Sequence, residues 1–186
     1  MNQPPDTRET LWRSPWSDSD DPELRIIITG GTFDKRYDAI SGQLGFAGTH
    51  LPDILQRVRC SYPVVLELNQ LIDSLDMQPE HHRGIVDSCR RSPQRRIVIT
   101  HGTDRLQHTA RELCQAGLDA AIVLTGAMIP YSISNSESLF NLGSAIAAAG
   151  ILPPGVYAAM NGRIFAGSEV RKDPRHGIFL GHKPTI

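Results

Sequence analysis

Two threonines in this sequence follow short β-branched segments, at points where the chain turns into glycine. Thr32 ends Thr29-Gly30-Gly31-Thr32, and Thr103 stands in His101-Gly102-Thr103-Asp104. In an open α/β sheet, ligands bind at the carboxyl ends of the strands. A hydroxyl beside a carboxylate at such a place indicates nucleophilic or binding chemistry. We interpret the two threonines as parts of one site.

Four other side chains are candidates for the same site. Ser74 and Asp76 lie in the loop after another expected strand, so a parallel sheet would place them at the same edge. Lys172 lies in a charged segment, and Tyr37 lies in the glycine-containing segment 30–48, which is long enough to be an active-site lid. Taken singly, each of the four fits an ordinary polar surface position at least as well.

The glycine turns do not match the common nucleotide-binding patterns. GxxxxGK[ST] and GxGxxG are both absent from the sequence. HExxH and GxSxG are absent too, so neither a zinc-hydrolase site nor a serine-hydrolase elbow is expected. The neighbouring His81 and His82 would point in different directions on a helix, which argues against a shared metal. We expect His101 to be a structural side chain.

Apolar segments alternate with helical patterns at regular intervals along the chain. Strands are predicted at 24–29, 62–68, 95–100, 120–125 and 156–160, with a short edge strand at 163–165. Helices are predicted at 49–58, 79–91, 104–116 and from 135 or 136 to 149. This alternation favours a single α/β domain of three layers, with helices on both faces of a mostly parallel, doubly wound sheet of flavodoxin or Rossmann type.

Individual residues predict where several of these helices begin and end. Thr49 is expected to cap the first helix, and Asp104 to cap the third. Gly117 is expected to end the third helix and Gly150 the fourth. Glu137 is expected in the first turn of the fourth helix, where the helix dipole favours a negative charge.

The composition is that of an ordinary globular domain. The chain has 186 residues, 40% of them hydrophobic and 21% charged, with a formal net charge of -1. This charge balance gives no support for a nucleic-acid partner, and no apolar run is long enough for a membrane span. Three scattered cysteines and the lack of an apolar leader favour a reducing, cytoplasmic location.

The first 23 residues differ from the rest of the chain. They are rich in proline, serine and aspartate, and they predict a flexible N-terminal extension at 1–23, followed by the α/β domain at 24–186. Trp12 and Trp16 do not fit a solvated tail, because indoles usually find apolar contacts. Docking of either tryptophan on the domain or on a second subunit is the alternative.

Five short motifs, in order along the chain, resemble those of the bacterial-type L-asparaginase family. They are Thr29-Gly30-Gly31-Thr32, Ser74-Leu75-Asp76-Met77, His101-Gly102-Thr103-Asp104, Thr125-Gly126-Ala127-Met128 and Glu169-Val170-Arg171-Lys172. Each motif is weak alone, but their order and separations match the family from Leu24 onward. The chain resembles the short, single-domain branch, which corresponds to the N-terminal α/β domain of the longer enzymes.

The resemblance implies hydrolysis of L-asparagine to L-aspartate and ammonia through a threonine-linked acyl intermediate, without a metal or cofactor. Thr32 corresponds to the nucleophile, and Tyr37 to its partner on the lid. Thr103, Asp104 and Lys172 correspond to a supporting triad. Whether Lys172 acts as a base or only orients Thr103 stays open at this point.

The resemblance also implies a substrate-binding set. Ser74 corresponds to a position that binds the α-carboxylate of the substrate, Asp104 to one that faces its α-amino group, and Ala127 to one that lines the amide pocket. The complete set of corresponding positions is Gly31, Ser74, Asp76, Thr103, Asp104 and Ala127.

Departures from the family pattern bear on substrate preference. Leu75 stands where many relatives carry glutamine, and Arg105 where the family usually has a small hydroxyl residue. The longer relatives also supply a glutamate to each site from the C-terminal domain of a neighbouring subunit, a domain that this chain is expected to lack. The resemblance therefore implies low glutaminase activity and a modest affinity for asparagine. By analogy it also implies a homo-oligomer, either a dimer or a tetramer.

Two other functions are compatible with the same residues. An ammonia-supplying amidotransferase subunit of the same fold would need a partner chain. A non-catalytic module would bind an amino acid at the strand ends without turning it over. Loss of ammonia release in Thr32→Ala, with the fold intact, would exclude the binding module.

Overall fold

The computed structural model describes residues 8–12 and 23–182. The strands are β1 Arg8–Trp12, β2 Leu24–Gly30, β3 Lys35–Asp38, β4 Gln43–Phe46, β5 Val64–Ile72, β6 Arg96–Thr100, β7 Ala121–Thr125, β8 Gly155–Met160, β9 Arg163–Ala166, β10 Arg171–Asp173 and β11 Ile178–Leu180. The helices are α1 Leu51–Arg57, α2 Pro79–Arg91, α3 Leu106–Ala116 and α4 Ser138–Ile151, with a short 3-10 helix at Thr32–Asp34. Within these ranges, no helix combines the length and hydrophobicity that crossing a membrane requires.

Seven of the strands form one sheet in the order β1-β5-β2-β6-β7-β8-β9. The five strands from β5 to β8 in this order run parallel to one another, and β1 and β9 pair antiparallel at the two edges. Because the central strands are parallel, the loops that follow them emerge at one edge of the sheet. The predicted mostly parallel, doubly wound sheet is confirmed.

Helices cover both faces of this sheet. In β2, Ile26 and Ile28 belong to the buried cluster under α1 and α4, whereas Ile27 belongs to the cluster under α2 and α3. Val98 and Ile99 of β6 divide between the two clusters in the same way. Strands that are buried on both faces are nearly continuous in hydrophobicity, which is why their sequence segments could be recognised. The three-layer arrangement is therefore confirmed.

Two small hairpins lie outside the sheet. β3 pairs with β4, and β10 pairs with β11. The β3–β4 hairpin falls inside segment 30–48, which the sequence predicts only as a long loop. Most of its side chains are exposed, so no hydrophobic period marks its strands.

The predicted cap at Asp104 is wrong. Arg105 occupies the N-cap position of α3, and no side chain caps the helix there. The Asp104 carboxylate instead accepts a hydrogen bond from Lys172, at 2.9 Å. Asp104 therefore forms an ion pair with Lys172 instead of capping α3.

The other predicted helix ends have mixed outcomes. Gly117 ends α3 in the left-handed conformation, as predicted. Gly150 does not end α4, which continues to Ile151 with backbone hydrogen bonding as far as Leu152. Thr49 accepts a hydrogen bond from the Leu51 N–H at 3.2 Å, but the N-cap residue of α1 is His50.

Part of the predicted flexible extension belongs to the sheet. β1 lies within residues 1–23, and it pairs antiparallel with β5 along its whole length. Trp12 packs against the buried cluster under α1 and α4, so the alternative of a docked tryptophan is the correct one for this residue. Trp16 lies outside the described residues. The backbone hydrogen bonds of the edge strand explain the correction, because they do not depend on a hydrophobic sequence pattern. The division into 1–23 and 24–186 otherwise stays a prediction.

Candidate active site

Glycines bring the loops after β2 and β6 into direct contact. Gly31 has a φ of 71°, in the left-handed region that residues with a side chain rarely adopt. A Cβ on Gly31 would lie 2.5 Å from the Gly102 Cα, so only glycine permits this approach. Thr32 and Thr103 each follow one of these two glycines. The contact therefore brings both threonines to the same part of the sheet edge.

The loops after β5 and β7 join the same contact region. A Cβ on Gly102 would lie 2.5 Å from the Cβ of Ser74, and a Cβ on Gly126 would overlap the carbonyl oxygen of His101. The loops after four neighbouring strands thus meet at one place, as a parallel sheet requires. We call the contact of Gly31, Gly102 and Ser74 the glycine junction.

Lys172 joins the two residues that follow Gly102. Its Nζ donates to Thr103 Oγ1 at 2.8 Å and to Asp104 Oδ1 at 2.9 Å. The lysine side chain is 11% exposed and that of Asp104 is 43% exposed. Since Thr103 accepts from the ammonium, its own hydroxyl proton is available to a ligand. The structure therefore assembles three of the candidate residues into one hydrogen-bonded triad.

The β10–β11 hairpin places Lys172 in this triad. Val170 and Phe179 are buried in the cluster under α2 and α3, on either side of the lysine along the hairpin. The Lys172 N–H also donates to Gln107 Oε1 of α3, at 3.2 Å. Apolar burial and one hydrogen bond thus fasten the hairpin to the same helix that follows Thr103.

Ser74 offers an unused polar group at the glycine junction. The residue is 1% exposed, and its Oγ has no hydrogen-bond partner among the described residues. Buried hydroxyls almost always have a partner, so an unpaired one suits the binding of a ligand atom. Asp76 is exposed on the same loop. The structure brings Ser74 to the site, and a role for Asp76 stays a prediction.

Helix α4 holds the loop that contains Ala127. Asn141 Nδ2 donates to the Gly126 carbonyl at 2.9 Å, and the Glu137 carboxylate accepts the Met128 N–H at 2.5 Å. Glu137, expected in the first turn of α4, occupies its N-cap position instead, immediately before that turn. Ala127 is completely buried between these two attachments.

Thr32 starts the 3-10 helix directly after Gly31. The Gly31 N–H donates to the Ile72 carbonyl at 3.0 Å, so this amide is not available to a ligand. Because Gly31 has no side chain, its backbone can lie against Gly102. Thr32, the next residue, is half-buried.

Asp34 fastens together the two ends of the segment that carries the β3–β4 hairpin. Its Oδ1 accepts hydrogen bonds from Thr49 Oγ1 at 2.9 Å and from the His50 N–H at 3.1 Å. Its Oδ2 is buried and has no partner among the described residues. Burial raises the pKa of Asp34 to about 6, although the two hydrogen bonds and the Arg36 charge oppose this.

Tyr37 lies on the exposed β3–β4 hairpin. The residue is 63% exposed, and its hydroxyl lies 4.0 Å from where a Cβ of Gly42 would stand. Its role as a partner of Thr32 stays a prediction.

An ion pair links the loop that carries Thr32 to the loop that carries Ser74. Lys35 Nζ lies 2.5 Å from Asp73 Oδ2. Burial favours the neutral form of Asp73, but the hydrogen bonds from Lys35 and the Leu75 N–H and the charges of Lys35 and Lys172 outweigh it and lower the pKa. The pair ties together the residues that follow Thr32 and those that precede Ser74.

Two ion pairs involve residues of the loops that meet at the junction, Lys35 with Asp73 and Lys172 with Asp104. A small ligand that carries both an ammonium and a carboxylate would find an opposite charge for each. In the described parts of the chain, no three or more histidine, cysteine or acidic side chains are grouped as metal ligands would be.

Sequence reasoning missed several residues that shape the site. Asn141 could have been noticed, because it interrupts the otherwise apolar helix α4. Asp34 and Lys35 follow Thr32 directly, but their partners Thr49 and Asp73 come from other loops. No local pattern identifies contacts of that kind.

Several known proteins have sequences similar to that of this chain. The family model "Asparaginase, N-terminal" matches residues 23–176. The L-asparaginase of Thermococcus kodakarensis is 32% identical over 161 residues, which are 81% of this chain and 47% of the relative. L-asparaginase 1 of Escherichia coli K12 is 27% identical over 173 residues, 88% of this chain and 51% of the relative.

A second kind of relative is also similar. A glutamyl-tRNA(Gln) amidotransferase subunit of Saccharolobus solfataricus is 31% identical over 144 residues, which are 72% of this chain and 32% of that relative. The chain spans about half the length of the L-asparaginases it matches, and less of the amidotransferase relative.

Solved structures show the same relationship. The thermostable L-asparaginase from Thermococcus kodakarensis superimposes with a TM-score of 0.73 at 30% identity, covering 85% of this chain and 50% of that one. L-asparaginase I from Vibrio cholerae superimposes with a TM-score of 0.73 at 25% identity, covering 87% and 52%. The chain belongs to the asparaginase family, and residues 23–176 correspond to its N-terminal domain.

Proposed function

We propose that this protein is an amidohydrolase that converts L-asparagine to L-aspartate and ammonia. The observation that carries the proposal is the triad of Lys172, Thr103 and Asp104 beside the glycine junction. Family membership supports amidohydrolase chemistry of the asparaginase type. The choice of asparagine as substrate rests on the resemblance and on the charges of the site.

Thr32 is the proposed nucleophile. Its Oγ attacks the side-chain amide carbon of asparagine and forms an ester, while the C–N bond breaks. The hydroxyl proton of Thr32 leaves with the nitrogen, so the first product is ammonia. Water then hydrolyses the ester, releasing aspartate and restoring the threonine. Two easier steps replace the direct attack of water on an unreactive amide.

The triad of Lys172, Thr103 and Asp104 is proposed to position the substrate and the water that hydrolyses the ester. Lys172 holds Thr103 and Asp104 in a fixed arrangement, and the Thr103 hydroxyl proton remains free to bind the substrate or the attacking water. Tyr37 is the proposed partner of Thr32 once the β3–β4 hairpin closes over the site. Such closures commonly exclude water and complete a catalytic arrangement.

Substrate recognition is assigned to the residues around the glycine junction. The unpaired Ser74 Oγ binds the α-carboxylate, and the half-exposed Asp104 faces the α-amino group. Gly31 permits close approach, while Asp76 and Ala127 complete the proposed set. Leu75 offers no polar group to a longer substrate, so we propose low glutaminase activity and modest affinity for asparagine.

Two wider expectations accompany this function. A structurally similar protein from Campylobacter jejuni is described as a probable cytoplasmic L-asparaginase, with a TM-score of 0.69. We therefore propose a cytoplasmic location. The resemblance supports a homo-oligomer, dimer or tetramer, which sedimentation would test.

Ammonia release by the purified chain tests the function. We expect release from L-asparagine, much less from L-glutamine, and little from the D-forms. Thr32→Ala should abolish release while the thermal unfolding temperature stays close to that of the wild type, and Thr32→Ser should keep part of the activity. In the presence of hydroxylamine the wild type should also form β-aspartyl hydroxamate, because hydroxylamine competes with water in attacking the acyl ester. A wild type that releases no ammonia from any of the four amino acids would refute the proposal.

An ammonia-supplying amidotransferase component is the second candidate, favoured by the similarity to the Saccharolobus solfataricus protein. Such a protein would release ammonia slowly alone and faster with a partner subunit and glutamyl-tRNA(Gln). Full turnover of free asparagine by the isolated chain would exclude this alternative.

A further inference from the structure

A chain of buried polar side chains runs from the Thr103 turn into α2. His101 Nε2 lies 2.8 Å from Thr109 Oγ1, and the same Oγ1 lies 2.8 Å from His82 Nδ1. All three residues are almost fully buried. They come from the turn after β6, from α3 and from α2, and the proposed reaction uses none of them.

The protonation of His101 follows from its second contact. Its Nδ1 lies 2.8 Å from the Gly102 carbonyl oxygen, which can only accept a hydrogen bond. Nδ1 must therefore carry the proton. Burial lowers the pKa of His101 to about 4, so the ring is neutral near neutral pH and its Nε2 is an acceptor.

The direction of the other two hydrogen bonds is then determined. The Thr109 hydroxyl donates its one proton to His101 Nε2, so its oxygen must accept from His82 Nδ1. Burial lowers the pKa of His82 to about 4, with the charges of His108, His101, Arg105 and His81 acting in the same sense. Each hydrogen bond in this series is therefore donated in the direction from His82 towards the Gly102 carbonyl. We call the series the histidine relay.

His82 is the end of the relay. Its Nε2 is buried and has no hydrogen-bond partner in the described residues. The nearest ring is that of His108, which stands edge-on with its centroid 4.5 Å away. Because nothing within the described ranges donates to Nε2, the polar contact that positions His82 is the one to Thr109.

The relay acts on the Gly102 peptide, which is the centre of the glycine junction. Gly102 touches Gly31 on one side and Ser74 on another, and Thr103 follows it directly. Rotation of this peptide would move Thr103 relative to Thr32 and Ser74. Errors of about 1 Å in the placement of reacting groups can lower a rate roughly 100-fold.

We propose that His82 and Thr109 are positioning residues, which hold the Gly102 peptide and thereby Thr103 in the reactive arrangement by keeping His101 in its Nδ1–H tautomer. The kinetic consequence rests on the proposed function. The tautomer does not, because it follows from the contacts of His101 alone.

Nitrogen NMR of the imidazole rings tests the relay without reference to activity. In protein labelled with ¹⁵N-histidine near neutral pH, His101 and His82 should each show a protonated Nδ1 and an unprotonated Nε2. His82→Asn assigns the His82 signals. If His101 proves to be the Nε2–H tautomer or an imidazolium, the relay is overturned whether or not the protein releases ammonia.

Thr109→Val and Thr109→Ser form the matched pair for the kinetic consequence. Valine keeps the shape of threonine but has no hydroxyl, whereas serine keeps the hydroxyl. We expect Thr109→Val to lower kcat about 100-fold with a smaller change in KM, and Thr109→Ser to keep most of the wild-type kcat. The His101 signals should change in the valine variant and stay in the serine variant. Equal kcat in both variants would overturn the positioning role.

A second pair keeps the proposal testable if Thr109→Val does not fold. His82→Asn retains a side-chain N–H near the position of Nδ1, whereas His82→Leu removes it. The asparagine variant should retain clearly more turnover than the leucine variant. His108→Gln is the control, because His108 contacts His82 outside the relay, and its kcat should match that of the wild type. Equal losses in His82→Asn and His82→Leu would contradict the proposal.

Discussion

The two threonines have unlike surroundings, although each follows a glycine at the same edge of the sheet. Thr103 is buried and already bonded to Lys172, which a hairpin anchored in the core holds in place. Thr32 is half-buried, and its predicted partner Tyr37 faces solvent on the β3–β4 hairpin. In the proposed site, the half with Thr103 and Lys172 is joined by a hydrogen bond, whereas the half with Thr32 and Tyr37 is not.

The difference follows from how each half is attached. The β10–β11 hairpin buries apolar side chains, so moving it would expose them to water. The β3–β4 hairpin exposes most of its side chains, and it is held at its base by Asp34 and Lys35. Segments with few buried apolar contacts open at low free energy, and active-site lids are drawn from them. The comparison therefore indicates a rigid support beside a movable cover.

Among the variants that compare the two halves of the site, removal of the Lys172 ammonium should have the largest effect on activity. We expect Lys172→Met to lower kcat about 1000-fold, as the loss of a group that holds or moves a proton does. The unfolding temperature should change little, because methionine keeps most of the aliphatic side chain. Arg171→Met, on the same strand but exposed, is the control and should keep wild-type kinetics. Steady-state ammonia release measures both variants, and a normal kcat in Lys172→Met would show that this half is not catalytic.

Gly102→Ala tests how tightly the turn before Thr103 packs against the Ser74 loop. The new Cβ would run into Ser74, and such overpacking costs about 3 kcal/mol of the free energy of unfolding. For a chain of this size that corresponds to a decrease of roughly 10 °C in the unfolding temperature. Gly143→Ala in α4 is the matched control, because nothing lies within 4 Å of its Cβ. Calorimetry of the two variants measures the difference, and equal stabilities would contradict the tight contact.

Tyr37→Phe tests the movable half alone. We expect kcat to decrease about 100-fold, because the lost hydroxyl is the proposed partner of Thr32. The free energy of unfolding should not change, since the side chain is largely exposed. Kinetics and thermal unfolding of the same sample measure both quantities. Wild-type kinetics in this variant would remove Tyr37 from the mechanism.

Asp34→Asn should change how stability depends on pH. Burial raises the pKa of Asp34 from its ordinary value of 3.8 to about 6, so the folded state binds its proton more tightly. The wild type should therefore lose about 2 kcal/mol from this group as the pH rises from about 4 to about 7. The asparagine variant should lack this part of the pH dependence. Denaturant unfolding at the two pH values measures it, and parallel pH profiles would show that Asp34 ionises normally.

Several features of the fold could be predicted because each depends on neighbours in sequence. The isoleucine-rich run of β2 is buried on both faces, and Gly117 supplies a left-handed helix end. β1 could not be predicted, since its strand forms by pairing with β5 far along the chain. Asp104 was assigned to a helix cap for the same reason: its true partner is Lys172, 68 residues away.

The sequence by itself determined the alternation of strands and helices, the parallel sheet, the family and the identity of Thr32, Thr103, Asp104 and Lys172 as candidates. These features can be inferred from local hydrophobic periodicity, from glycine-containing turns and from short motifs in a fixed order. Only the tertiary structure decided that Lys172 closes a triad, that Ser74 Oγ is left unpaired among the described residues and that Tyr37 is largely exposed on a hairpin. The physical reason is that hydrogen bonds and close contacts between distant segments depend on sheet order and packing, which no local pattern contains.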